Sequence, residues 1–392
     1  MPSNKSEPAL RMDTTLAHAG RHSAENHGFV NPPVIHASTV LFPDTATMLS
    51  GKQRYVYGRR GTPTTEALEE AITELEGAAG ARLATSGLNA ISLALLSCLS
   101  AGDHVLIVDS AYGPTRHFCE TVLKRMNIEV EYYDPALRAG IAGLFKANTK
   151  AILTEAPGSL SFEMQDIPQI ADIAHARGAL VLMDNTWATP LYFPAISHGV
   201  DLSIQAATKY IVGHSDVMIG TVAASERAIE GLKTTHGAMG VHVGPDDVYL
   251  ALRGLRTMGV RLRQHMESGL TIARWLETHP LVERVRHPAL ESDPGHAIWK
   301  RDFKGACGLF AFDFRKGVTI EQSHAFIDAL KLFGLGYSWG GFESLVIPVR
   351  LAGMRTASAL PEGGPSVRLH IGLEDVEDLR RDIEQAFDVI SR

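Results

Sequence analysis

A chain of 392 residues with 45% hydrophobic and 21% charged residues has ordinary globular composition and fits two or three domains that need no disulfide or metal staple. A net charge of −7, without a basic block or basic residues interleaved with aromatics, excludes nucleic acid as the main partner. No apolar run approaches a membrane span, residues 1–8 hold no apolar signal core, and Cys98, Cys119 and Cys307 form no CxxC pair, so a cytoplasmic protein with free thiols is expected.

Residues 1–60 keep no sustained period. Phe29, Val30, Val34, Ile35, Val40 and Leu41 fall irregularly around Pro32 and Pro33. This reads as an extended arm that a neighbouring subunit orders. A helix is predicted next, with Thr62 as N-cap, Pro63 in its first turn, and Ala67, Leu68, Ala71, Ile72 and Leu75 on one face; Gly77 and Gly80 end it. The small polar run Ala84-Thr85-Ser86-Gly87-Leu88-Asn89 opens a nearly all-apolar helix whose first amides suit a phosphate.

Strands and helices then alternate. Strands are predicted at 104–109, 128–133, 151–155, 179–184, 202–206 and 220–224, with helices at 114–126, 135–145 and 167–177. This order implies an α/β fold with a mainly parallel sheet and crossover helices. A long helical pattern from about 246 to 276 carries Gly254 and Gly259 and is expected to kink between domains. Strands at 282–285, 308–314, 345–347 and 367–371, with helices at 326–332 and 376–390, form a smaller α+β unit. The expected organisation is an arm over 1–60, a cofactor domain over 61–256 and a C-terminal domain over 257–392.

Two apolar runs end in charge: one at Asp184, followed by Asn185, the other leading through Gln205-Ala206-Ala207-Thr208 to Lys209. Strand carboxyl ends are where open α/β sheets bind ligands. Taken singly, each is explained as a solvated surface charge. Joined by the Ser86-Gly87-Leu88 turn, Tyr112 after the strand ending at Asp109, Ser338-Trp339 and Arg368, they fit one cofactor, pyridoxal 5′-phosphate (PLP). A reactive lysine would link to it, an acid would keep its ring nitrogen protonated, and an aromatic plate would cover the ring.

The runs Tyr57-Gly58-Arg59, Ser86-Gly87, Asp184-Asn185-Thr186 and Ala207-Thr208-Lys209-Tyr210-Ile211-Val212-Gly213-His214-Ser215-Asp216 resemble the PLP-dependent enzymes of Cys/Met metabolism, from about residue 12 to the end. That resemblance implies the fold type I, aspartate aminotransferase-like architecture. It also implies that Lys209 holds the cofactor and shuttles protons, Asp184 pairs with the ring nitrogen, and Tyr112 stacks on the ring and takes part in catalysis. Gly87, Leu88 and Thr208 would hold the phosphate, with Tyr57 and Arg59 reaching it from the neighbouring subunit. Arg368 would bind the substrate carboxylate, aided by Ser338 and Trp339. Gln205–Tyr210 and Tyr337–Leu345 are similar to the bacterial branch that cleaves L-cystathionine by β-elimination. Ala206 stands where most of the family has a serine that donates to the phosphate, which leaves that contact to another group.

The implied assembly is a homotetramer built from dimers with shared active sites, in methionine biosynthesis. Alternatives within the cofactor class are a broader cysteine-S-conjugate lyase and a γ-lyase. A nicotinamide oxidoreductase would need a G-x-G-x-x-G turn after its first strand, and no such turn is present there. His18 and His22 have helical spacing but lack the H-E-x-x-H pattern, so no metal site is expected. His214 and Asp216 read as a structural turn.

Overall fold

Buried strands and covering helices produce two sheets in this computed structural model, which describes residues 10–351, 353–359 and 363–391. The first nine residues of the expected arm lie outside that range. The large sheet contains β1 (Gly80–Ala84), β2 (His104–Val108), β3 (Glu129–Tyr133), β4 (Thr149–Glu155), β5 (Leu180–Asp184), β6 (Leu202–Gln205) and β7 (Gly220–Ala224). Their order is β1-β7-β6-β5-β4-β2-β3. The pairs among β6, β5, β4, β2 and β3 are parallel, whereas β7 pairs antiparallel with both β6 and β1. All residues of β2, β6 and β7 are buried, as required of strands covered on both faces.

The parallel strands all deliver their carboxyl ends to one edge of the sheet. Asp184 and Glu155 are register partners there, and Lys209 follows β6 by one turn. Asp109, just past β2, is buried and accepts from the amides of Thr356, Ala357 and Ser358 and from Arg116, pinning a C-terminal loop to the large sheet.

Several local expectations change. Gly80 opens β1 rather than closing a helix; the helix Pro63–Glu76 stops at Gly77, whose φ of 63° is left-handed. The arm contains two short helices, Met12–His18 and Thr45–Ser50, and the first buries Leu16 in the main core. The 135–145 segment is a 3-10 helix, Arg138–Leu144. The 114–126 helix passes through a π turn at Cys119–Leu123. The long pattern divides into Pro245–Leu255 and Met258–Glu277. Gly254 lies at that break because a Cβ there would stand 2.3 Å from the Val212 carbonyl.

The small sheet contains β8 (Val282–Arg286), β9 (Leu309–Phe314), β10 (Gly334–Leu335), β11 (Leu345–Val349) and β12 (Ser366–His370), in the order β10-β11-β12-β9-β8. Phe312, Phe314, Phe326 and Phe387 form an aromatic cluster between this sheet and its helices. Helix Met258–Glu277 joins both cores: Met258 and Leu262 pack in the first, Ile272 and Leu276 in the second. Among the described residues no helix is long and apolar enough to cross a membrane. Cys98, Cys119 and Cys307 are free.

Glu76 ends its helix under β6, where Ser203 Oγ donates to it at 2.8 Å and Gln205 Nε2 at 3.2 Å. Burial pushes its carboxyl up to about 7. A folded value above the unfolded one means this group favours folding below the unfolded value and loses that contribution as pH rises through about 7. Glu76→Gln is therefore expected to raise Tm more at about pH 8 than at about pH 5, with an effect on the order of 3 kcal/mol at most. Thermal melts with equal Tm differences at both pH values would remove the buried charge as the cause.

Candidate active site

The Lys209 amine lies between the two sheets. Its Nζ donates to Ser338 Oγ at 2.5 Å and stands 5.3 Å from the Trp339 ring centroid. Burial lowers its pKa to about 8; the Arg368 charge reinforces this and Asp184 opposes it. Desolvation disfavours an ammonium, so more of this amine is neutral near pH 7 than of an ordinary lysine.

Asp184 ends β5. Its Oδ1 accepts from Thr186 N at 3.0 Å and Thr186 Oγ1 at 2.6 Å. Thr186 Oγ1 in turn accepts from Ala206 N at 2.8 Å, joining the end of β5 to the segment that carries Lys209. Burial raises the Asp184 pKa, while Thr186 and the Lys209 charge act against it.

Tyr112 is 45% exposed, and its amide donates to Glu155 Oε2 at 2.8 Å. Burial of the phenol, then the charges of Asp184 and Glu155, raise its pKa. Glu155 itself is held well above the carboxylate range, first by burial and then by Asp184. Sequence reasoning did not single out Glu155, although it also ends an apolar strand in an acid, the same signal that drew attention to Asp184.

Helix Gly87–Leu96 starts at Ser86, whose Oγ accepts from Asn89 N at 3.1 Å. The amides of Gly87 and Leu88 stand in the first turn, where no preceding helical carbonyl can accept from them. A Cβ at Gly87 would lie 2.5 Å from Ala206 Cβ, so this helix start is pressed against the lysine segment. Thr208 Oγ1 donates to Ile219 O at 3.0 Å and accepts from Ile219 N at 2.9 Å. A phosphate contact by Thr208 Oγ1 would therefore require its one proton to turn from the Ile219 carbonyl to the phosphate.

Arg368, on β12, is buried, and its Nη2 donates to Ser338 O at 2.9 Å. Its Nε is buried without a hydrogen-bond partner among the described residues. Burial lowers the guanidinium to about 10. Tyr57 and Arg59 hold other partners within the chain: Ser38 Oγ donates to Tyr57 Oη at 3.3 Å, and Arg59 Nη1 donates to Gly237 O at 3.1 Å. The structure thus brings together Lys209, Asp184, Tyr112, Ser338, Trp339 and Arg368, while the hydrogen-bond partners of Tyr57 and Arg59, Ser38 and Gly237, lie elsewhere. His214 Nδ1 bonds Val212 O at 2.7 Å, which is the structural turn expected of it.

These residues fit pyridoxal phosphate. An amine whose pKa is lowered to about 8, a carboxylate with one oxygen committed to Thr186 and helix-start amides are the donors and acceptors that group requires, and Arg368 with its unpaired Nε is left for a substrate carboxylate. The fold and this lysine-centred cleft define a cofactor-dependent enzyme of the fold type I class.

Comparison with known proteins narrows the class. The family model for the Cys/Met metabolism PLP-dependent enzyme matches residues 13–388. A Rhizobium johnstonii protein provisionally named a cystathionine beta-lyase is 56% identical over 379 residues, covering 96% of each chain. The cystathionine beta-lyase of Escherichia coli (strain K12) is 42% identical over 389 residues, covering 96% of this chain and 98% of that one. The crystal structure of metB from Corynebacterium glutamicum superposes with a TM-score of 0.90 at 31% identity, covering 97% and 98% of the two chains. The chain belongs to the PLP-dependent enzymes of Cys/Met metabolism.

Lys209→Ala is expected to abolish the visible absorbance band that the folded protein develops with pyridoxal phosphate. A band of undiminished intensity in that variant would assign the covalent link to another residue.

Proposed function

We propose that this enzyme is a carbon–sulfur lyase that splits L-cystathionine by β-elimination into homocysteine, pyruvate and ammonia. The observation that carries this reading is the cluster of Lys209, Trp339 and Arg368 around Ser338, with Arg368 Nε buried and left without a partner among the described residues. The relatives named cystathionine beta-lyase, at 42% and 56% identity over nearly the whole chain, support the same reading.

Pyridoxal phosphate, when bound, supplies an electron sink for the charge left when Cα loses its proton. Arg368 would take the substrate α-carboxylate with its planar fork, using the free Nε and leaving Nη2 on Ser338. The Lys209 amine, at about 8, is the base suited to the Cα proton, because burial makes its neutral form far more accessible near pH 7 than that of an ordinary lysine. Asp184 would sit opposite the ring nitrogen, whose positive charge would favour its carboxylate form against the burial that raises it, with Thr186 holding its orientation. Tyr112, whose phenol is raised, keeps its proton at neutral pH and so suits stacking or donation to the leaving sulfur rather than proton abstraction. Gly87 and Leu88 would receive the phosphate, with Thr208 beside them.

Product analysis tests the assignment. L-Cystathionine should yield homocysteine and pyruvate in equal amounts. Release of cysteine and 2-oxobutyrate would identify a γ-lyase instead, and a higher kcat/KM for other cysteine S-conjugates would favour the broader lyase.

We further infer a cytoplasmic enzyme of methionine biosynthesis, with 61–256 as the cofactor domain and 257–392 as the C-terminal domain. Its assembly would be a tetramer made of two dimers. Exposed Phe29, Val30 and Leu41 on the arm, together with the 45% exposure of Tyr57, support an arm that packs on a second subunit. Tyr57 and Arg59 would then complete the partner's phosphate site. Co-expressing Tyr57→Ala with Lys209→Ala should recover roughly a quarter of parent activity, because a mixed two-fold dimer regains one intact site. Activity no higher than that of either variant alone would show that each subunit builds its own site.

A further inference from the structure

The turn that carries Ser338 and Trp339 is strained and close to the lysine. Ser338 has φ of 86°, a left-handed value that costs a non-glycine residue free energy unless its surroundings impose it. Gly340 follows at φ of 85°, and a Cβ there would stand 3.0 Å from the Cα and Cβ of Lys209. The turn therefore lies directly against the lysine backbone as well as under its amine.

Two side chains of β12 hold this turn. Arg368 and His370 are two residues apart and so share one face of the strand. Arg368 Nη2 donates to Ser338 O at 2.9 Å. Gly340 N donates to His370 Nε2 at 3.0 Å. His370 Nδ1 lies 3.0 Å from Glu343 O, and a carbonyl can only accept, so Nδ1 carries the proton and Nε2 is free to accept. The imidazole is fully buried, packed near Tyr210, whose ring centroid is 6.1 Å away, and His265 at 5.3 Å. Tyr210 also lies 5.5 Å from Trp339. Each end of the imidazole is thus committed: one end to the chain after the turn, the other to the turn itself.

We propose that His370 is a positioning residue: as the Nδ1–H tautomer it anchors Gly340 and so holds the Ser338 turn that aims Ser338 Oγ at the Lys209 amine. It touches neither the amine nor the substrate position, and acts through Gly340. The proposal rests on the reading of Lys209 as the cofactor lysine.

Three substitutions test it on the cofactor-loaded protein, with thermal melts as the control for folding. His370→Leu removes both hydrogen bonds. His370→Asn is too short to reach Gly340. His370→Gln keeps an oxygen able to accept from the Gly340 amide. Misplacing the turn should lower kcat by about ten- to a hundred-fold in the Leu and Asn variants, with a smaller change in KM. It should also move the pH midpoint of the visible absorbance band measured without substrate. His370→Gln should recover most of both. A folded Leu variant with parent kcat and parent midpoint would overturn the proposal, as would a Gln variant no better than Asn. Should the Leu variant fail to fold, the Gln and Asn pair decides. Absence of any band in the unsubstituted protein would sink the cofactor reading and this inference together. A band without cystathionine turnover would sink only the substrate assignment, and the midpoint comparison would still read out His370.

Discussion

Removing a lysine amine from water is costly, and the rest of this active site is arranged around that cost. Burial and the neighbouring Arg368 charge weaken the ammonium form of Lys209, while Asp184 partly offsets them. The balance leaves an amine near 8, able to exist in both protonation states under ordinary conditions. A lysine exposed at a strand end would stay charged and could not act as a base. The partly buried position of Lys209 between the two sheets is what makes the chemistry available.

That cleft is assembled from distant parts of the chain. The large sheet supplies Asp184, Glu155 and the lysine segment at its carboxyl edge. The small sheet supplies Arg368 and His370 from β12, and these hold the strained Ser338 turn over the lysine. Helix Met258–Glu277 contributes to both cores, and Asp109 ties the Thr356–Ser358 segment to the large sheet. The relative position of the two sheets is thus held by apolar packing and by a buried carboxylate with several donors. Placement within about 0.5 Å is what a catalytic constellation needs, and multiple attachments of this kind provide it.

Much of this was legible in the sequence because the signals are local. An apolar strand ending in Asp184 declares both a buried strand and a charged terminus, since only the sheet edge can accept the charge. Thr62, Pro63 and Gly77 bound their helix through capping chemistry confined to a few residues. The helix start at Ser86 was readable for the same reason. Less was readable where partners are far apart in the chain. β1 was missed because Gly80–Ala84 is short and becomes a strand only through pairing with β7. The 3-10 form of Arg138–Leu144 was missed because its composition also suits an α-helix.

The sequence by itself determined the chemistry available to this protein: the lysine, the acid, the aromatic and the arginine, each set at the end or on the face of an element whose type its neighbours specify. Only the tertiary structure decided how those groups behave. Burial lowered Lys209 and raised Glu155, and the register of β4 with β5 put Glu155 beside Asp184. The antiparallel placement of β12 brought His370 to Gly340 across 30 residues of chain. Proton affinity depends on solvent exclusion and on charges close in space, and neither quantity is encoded in any short stretch of residues.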